Sequence, residues 1–338
     1  MKLIFTLFMA LFFVSSISAQ WKDPSERLEW NKEVEKKWSQ KNTPDANGNL
    51  SVDHLITLDT YIDPYSQNMA EGRYGTKFNF KYYSFKLPTE FKRGDTLLLR
   101  ITEVINPLDF YLSRLDLTYN ESSIFESGGM FRMDAFYKGQ PVPFDGPGIE
   151  VQFPVQNPTN VYNLYSYQNN LWEKKQDSKD IQTSANTTES TSDNFEFNLS
   201  SIDKIVSGIK GFVWWNFDLP RKNITCLTGR IKSSNTNNSV TVVGISKLGV
   251  TTKQFYTDEF KINYLQDVMV KVIVDGGDGT LGASNFIQTN KVDSYFYSDE
   301  NKKGKCQNIG EIHTKKVSPE LKNNRGELLK YLGLNDVI

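Results

Sequence analysis

The chain has 338 residues with 39 Lys+Arg against 40 Asp+Glu, a formal net charge of −1 that excludes the basic footprint of a nucleic-acid binder. Two histidines and two cysteines leave little material for zinc or His-based catalysis. The length exceeds the roughly 100 to 200 residues of one ordinary domain, so two or three are expected.

Residues 1–19 read as a cleavable secretory signal peptide. Lys2 precedes the apolar run Leu3 to Val14, small residues close at Ser18 and Ala19, and cleavage is expected before Gln20. The apolar run falls short of the ~20 residues a spanning helix needs. A lipoprotein would carry cysteine where Gln20 stands, so the expectation is export without a lipid anchor, to a periplasm or outside the cell, with no direct membrane insertion.

Residues 20–50 predict an N-terminal helix and a linker. Asp23 is a suitable N-cap, Pro24 suits the first helical position, and Glu26 completes a capping box. Trp30, Val34 and Trp38 then recur every four residues among Glu33, Glu35, Lys36 and Lys37. This narrow apolar stripe either packs on the first β-domain or docks another protein. Pro44, Asn47 and Gly48 mark a turn-rich linker.

Residues 51–155 alternate strand and turn. Leu97, Leu99 and Ile101 share one face of a strand, as do Ile149, Val151 and Phe153, with turn signals at Asn106–Pro107 and Gly128–Gly129. Residues 156–220 form a shorter β-rich segment containing the polar tract 176–194, which reads as a mobile loop for want of apolar surface. In residues 221–316, Val240, Val242, Val268, Val270, Val272 and Val274 alternate, and Asp275 to Gly279 supplies a tight turn. Residues 317–338 read as a C-terminal helix, with Leu321, Leu328, Leu329 and Leu332 apolar and Gly333 as its stop.

Chemistry leaves few marks. Gly277, Gly279 and Gly282 have dinucleotide-fingerprint spacing but no following helix to hold a pyrophosphate, so a hairpin turn is expected. Asp275 and Asp278 could contribute to a calcium loop, whereas Asp45, Asn47, Asn49 and Asp53 lack the EF-hand glycine and glutamate positions. No nucleophile elbow occurs, and any base would have to be His54 or His313. Three aromatic runs, Phe80 to Phe85, Tyr162 to Tyr167 and Phe212 to Phe217, are either core or a sugar-stacking platform. In an oxidising compartment Cys226 and Cys306 pair by default, closing a loop worth about 4 to 5 kcal/mol. A reactive thiol would need a nearby base.

The third region resembles the carboxypeptidase regulatory-like domain, a transthyretin-like sandwich, through Gly229, Ile231, the strand Val240 to Val243, and Thr257, Asp258 and Phe260. Cys306 to Ile312 is similar to the closing strand of such domains in secreted Bacteroidota proteins, and the resemblance implies pairing of Cys306 with Cys226. Residues 51–155 resemble ZU5-like β-domains through Leu99 to Glu103 and Glu126 to Phe131, and Phe212 to Pro220 looks like the junction between the two modules. These resemblances imply a scaffold role without catalytic residues. The expectation is a mainly β protein of tandem β-sandwich domains with short terminal helices. It would be a non-catalytic structural or protein-interaction component of the bacterial envelope, with no metal and no cofactor. Alternatives are a carbohydrate-binding or adhesion protein and a secreted hydrolase with an unrecognised acidic pair.

Overall fold

The computed structural model describes residues 55–334 except 56, 121, 147, 156–161, 169–170, 186–201, 235–237, 247, 277–278 and 291–305. The signal peptide, the Trp30, Val34 and Trp38 stripe and His54 lie outside the described residues. The protein is mainly β, with 57% of the described residues in strands. Among the described residues, no helix is long and apolar enough to cross a membrane.

A 14-stranded sheet organises the chain around the 15-residue strand Ser123–Tyr137. Leu97–Val104 pairs antiparallel with it from Leu98↔Phe136 to Val104↔Met130, and Trp214–Arg221 pairs with its other edge from Trp215↔Phe131 to Arg221↔Ile124. A single bridge, Val250↔Ser127, connects this half to the strands Val250–Tyr256, Ser239–Ile245 and Met269–Asp275. Glycine makes that bridge possible: Gly249 has φ +148°, and a Cβ there would stand 1.8 Å from the Ser127 carbonyl oxygen.

One face of the large sheet is covered twice. A five-stranded sheet that includes Ile149–Pro154 and Ile202–Ile209 packs on the first half, burying Phe78, Leu99, Phe131, Phe153 and Phe217. A three-stranded sheet, Glu259–Leu265, Ile224–Lys232 and Gln307–His313, packs on the second half over Val240, Val242, Val270, Val272 and Val274. The expected period-two faces are present: Leu97, Leu99, Ile101, Ile149, Val151 and Phe153 are all buried. Cys226 and Cys306 form a disulfide.

The opposite face carries the helices. Helix α1 (Pro107–Ser113), helix α2 (Pro319–Asn323) and helix α3 (Arg325–Tyr331) accompany one core that draws Leu108, Phe110 and Leu112 from α1, Phe125 and Trp214 from the first half, Val243 and Ile273 from the second, and Leu328, Leu332 and Leu334 from the C-terminal end. Alternate residues of a strand therefore face different cores, Met130 toward the helices and Phe131 toward the five-stranded sheet.

Four local expectations are corrected. Gly128–Gly129 makes no turn but lies inside the strand Ser123–Tyr137, where Gly129 at φ +135° accompanies a shift in register against Trp214–Arg221. Asn106–Pro107 opens α1 instead of making a turn: Asp109 N–H donates to Asn106 Oδ1 (3.0 Å) and Pro107 takes the first turn. All seven residues of α1 are buried, so no amphipathic period exists to betray it. The polar tract 176–194 is not all loop, because Gln182–Ala185 pairs with Ile202–Ile209. Backbone hydrogen bonds of an edge strand need no apolar run, and Ile181 beside it is buried. The C-terminal helix is two helices, since Asn324 stands extended at φ −105° and its side chain accepts from Glu327 N–H (3.0 Å) to start α3 anew. Gly333, at φ +59°, ends α3 as expected.

Candidate functional site

The buried carboxylates join elements. Asp109 on α1 meets Arg325 of α3 at 2.6 Å and accepts from Tyr74 Oη at 2.9 Å. Asn106 belongs to the same cluster, donating through Nδ2 to Tyr74 Oη (2.8 Å) and accepting from Arg325 Nη2 (3.2 Å). Burial and the charge on Asp109 raise the Tyr74 phenol well above its ordinary value. Asp275 holds Lys322 of α2 at 3.1 Å and Arg114 at 3.4 Å. Its carboxylate is engaged by those two cations; Asp278 lies outside the described residues. The strands Met269–Asp275 and Thr280–Ala283 pair antiparallel around this turn, the hairpin expected in place of a dinucleotide loop. Among the described residues, no three His, Cys, Asp or Glu side chains group to hold a metal ion.

Two further carboxylates brace loops and the junction between sheet halves. Glu103 accepts from Tyr74 N–H (3.0 Å) and from the Thr76 hydroxyl, and burial raises its carboxyl despite those donors. Glu126 meets Arg221 at 2.6 Å and accepts from the Ser246 hydroxyl, beside the Val250↔Ser127 bridge. The Tyr162 hydroxyl donates to the Leu248 carbonyl across the same junction.

Asp218 is different. It is fully buried, neither carboxyl oxygen has a hydrogen-bond partner, and burial pushes its carboxyl well above the usual carboxylate range. Ser127 lies beside it, but the single Ser127 hydroxyl hydrogen goes to Asn216 Oδ1 at 2.6 Å. The unfolded chain ionises this residue from about pH 4 upward while the folded chain keeps the proton, so stability falls as pH rises through that window. Asp218→Asn should therefore raise stability at pH 8 and change it little near pH 4. Urea unfolding across that pH range measures the difference; parallel curves for the two proteins would contradict it.

The aromatic runs separate by exposure. In Tyr162 to Tyr167, Tyr162, Leu164 and Tyr165 are buried; in Phe212 to Phe217, Trp214, Trp215 and Phe217 are buried. The run Phe80 to Phe85 divides: Phe80 and Phe85 enter the core, while a short 3-10 turn, Tyr82–Ser84, lifts Tyr82 (53% exposed) and Tyr83 (44% exposed) outward. Tyr65, 43% exposed, stacks on Tyr82 at 5.6 Å with 24° between ring planes. The Tyr82–Tyr83 centroids lie 5.3 Å apart, edge to face.

Two largely buried rings support this surface. Phe91 lies 6.1 Å from Tyr65 and 5.0 Å from Tyr137, whose hydroxyl donates to Asp95 at 2.7 Å. Five rings thus form a continuous ladder with Lys81 over Tyr83 (5.7 Å) at one end and Lys138 over Tyr137 (4.8 Å) at the other. Tyr65 is held by its own loop, its N–H donating to Asp63 Oδ1 at 2.9 Å and Gln67 N–H donating to the Asp63 carbonyl at 2.8 Å. Of these five rings, only Tyr82 and Tyr83 fall in one of the three runs that stood out in the sequence; Tyr65, Phe91 and Tyr137 come from separate segments.

His313 is exposed on the strand Gln307–His313, near Glu311 at 3.9 Å, and Cys226 is taken up by the disulfide. No protein-family model, curated protein or solved structure matches the chain.

Proposed function

We propose that this chain is an exported, non-catalytic structural and binding component of a bacterial cell envelope, with Tyr65, Tyr82 and Tyr83 as its recognition surface. The observation that carries the reading is that face itself: three half-exposed rings in mutual contact, backed by the buried Phe91, which in turn packs on Tyr137. Exposed aromatic clusters of this kind are costly to leave in water and mark places where something binds. The roles of Glu126, Asp109 and Asp275 agree with it, because each neutralises a cation from another element. A general acid or base must instead reach a substrate.

The resemblance of the first region to ZU5-like domains and of the third to carboxypeptidase regulatory-like domains belongs to the same reading. Modules of both kinds imply holding an assembly together. In this proposal the stripe Trp30, Val34 and Trp38 is the point of contact for an envelope or outer-membrane protein.

Immobilised full-length protein incubated with native envelope fractions tests the reading. Wild type is expected to retain specific envelope material, and the double variant Tyr65→Ala, Tyr82→Ala to lose most of it while keeping the wild-type melting temperature. Equal retention by both proteins, or robust hydrolytic turnover by the wild type, would overturn it.

A further inference from the structure

The tyrosine face has a size, a chemistry and a charge that together specify its ligand. Three rings about half exposed present on the order of 300 Å², taking 150 to 250 Å² for a whole aromatic side chain. A stable protein interface needs roughly 800 Å² from each partner. The rings alone supply less than half of that, and three rings in succession suit a narrow chain lying over them. Its rings are tyrosines, so each apolar face ends in a hydroxyl that can donate and accept. Alternating apolar faces and hydroxyls is also the surface pattern of a pyranose chain.

Charge refines the choice. Between residues 81 and 95 the chain carries Lys81, Lys86, Lys92 and Arg93 against Glu90 and Asp95, and Lys138 follows Tyr137 directly. All five of these cations are exposed. Asp95 is already engaged by Tyr137 Oη and by the Lys92 N–H at 2.9 Å, and Asp63 by the Tyr65 N–H. Those hydrogen bonds leave both carboxylates charged, and Asp145, whose N–H donates to the Ser84 carbonyl at 2.9 Å, adds another, so the five cations stand against four anions, Asp63, Glu90, Asp95 and Asp145, an excess of one positive charge in a chain of net charge −1. Lys81 and Lys138, at the two ends of the ladder, are placed to meet anions along a strand lying over it.

We propose that the face formed by Tyr65, Tyr82 and Tyr83 binds a linear acidic polysaccharide, its sugar rings stacked on the tyrosines and its carboxylates met by Lys81 and Lys138. The inference rests on the binding role proposed above and names the ligand class for that surface.

Affinity electrophoresis of the full-length protein through gels containing polygalacturonate provides the test. Two controls accompany it: fully methyl-esterified polygalacturonate, which keeps the sugar chain and removes its charge, and poly-L-glutamate, which keeps charge and removes the sugar rings. Polygalacturonate is expected to slow the wild type most. Tyr82→Ala should weaken that binding about tenfold, the scale of one lost aromatic stack. Lys81→Gln with Lys138→Gln should weaken it and flatten its salt dependence.

Absence of retardation by polygalacturonate would overturn the proposal. Equal retardation by poly-L-glutamate would do the same, as would binding indifferent to Tyr65→Ala and Tyr82→Ala in proteins with unchanged melting temperature. If the tyrosine variants lose envelope retention while polygalacturonate does not bind, the acidic glycan is wrong and the binding role stands. If envelope retention is also indifferent to the tyrosines, both fall.

Discussion

Changing Arg325 to Ala is expected to cost about 3 to 5 kcal/mol, because it removes one member of a buried ion pair and leaves the other behind. The side chains of Arg325 and Asp109 are only 8% and 2% exposed and approach to 2.6 Å, so solvent does little to screen them. The remaining Asp109 carboxylate would keep the Tyr74 hydroxyl as donor and lose its cation. The loss propagates, since Arg325 opens α3 and Leu328, Leu332 and Leu334 of that end are fully buried in the core under the large sheet. Urea unfolding should give the stated loss. Limited proteolysis should also cut within residues 318–334 at protease levels that spare the wild type. The double variant Arg325→Met, Asp109→Leu should lie closer to wild type than Arg325→Ala, because no buried charge is then stranded. A loss below about 1 kcal/mol for Arg325→Ala would mean that the pair merely breaks even in place.

Changing both cysteines to serine is expected to cost about 4.5 kcal/mol by loop-closure entropy for a separation of 80 residues. The native topology explains why so long a loop was worth closing. Ile224–Lys232 and Gln307–His313 pair in parallel, with Leu227 opposite Gln307 next to the bridge. Parallel pairing requires a long crossover and pays its closure entropy before contacts reward it. The disulfide lowers that cost in the unfolded chain. Gln307–His313 also lies at the edge of its three-stranded sheet and buries Ile312 as its main apolar contact. Amide exchange in Gln307–His313 should therefore accelerate more than in Ser239–Ile245, which is paired on both sides. Uniform acceleration across the two strands would place the effect on the fold as a whole.

The candidate surface was partly legible. The run Phe80 to Phe85 stood out as aromatic, yet Tyr162 to Tyr167 and Phe212 to Phe217 stood out equally, and both of those proved largely core. The reason lies in the layering. Strand alternation tells which residues share a face, and it assigns one face to water only when the sheet has one wet side. Here helices cover one face and further sheets the other, so the adjacent Trp214 and Trp215 point to opposite sides and are both buried. Tyr82 and Tyr83 escape because their 3-10 turn leaves the sheet altogether.

The β class, the period-two faces Leu97 to Ile101 and Ile149 to Phe153, and the stop at Gly333 were all legible in the residue order, because each depends on a few neighbouring residues. The sequence also pointed to the pairing of Cys226 with Cys306, through the oxidising compartment that an exported chain is expected to reach. Tertiary structure alone decided that Asp109 would find Arg325, that Asp275 would find Lys322 and Arg114, and that Tyr65 would stack on Tyr82. Those partners are brought together by sheet packing over long separations in the chain. Any of the 39 cations could on paper have met any of the 40 anions, and burial in a common core is what selected among them.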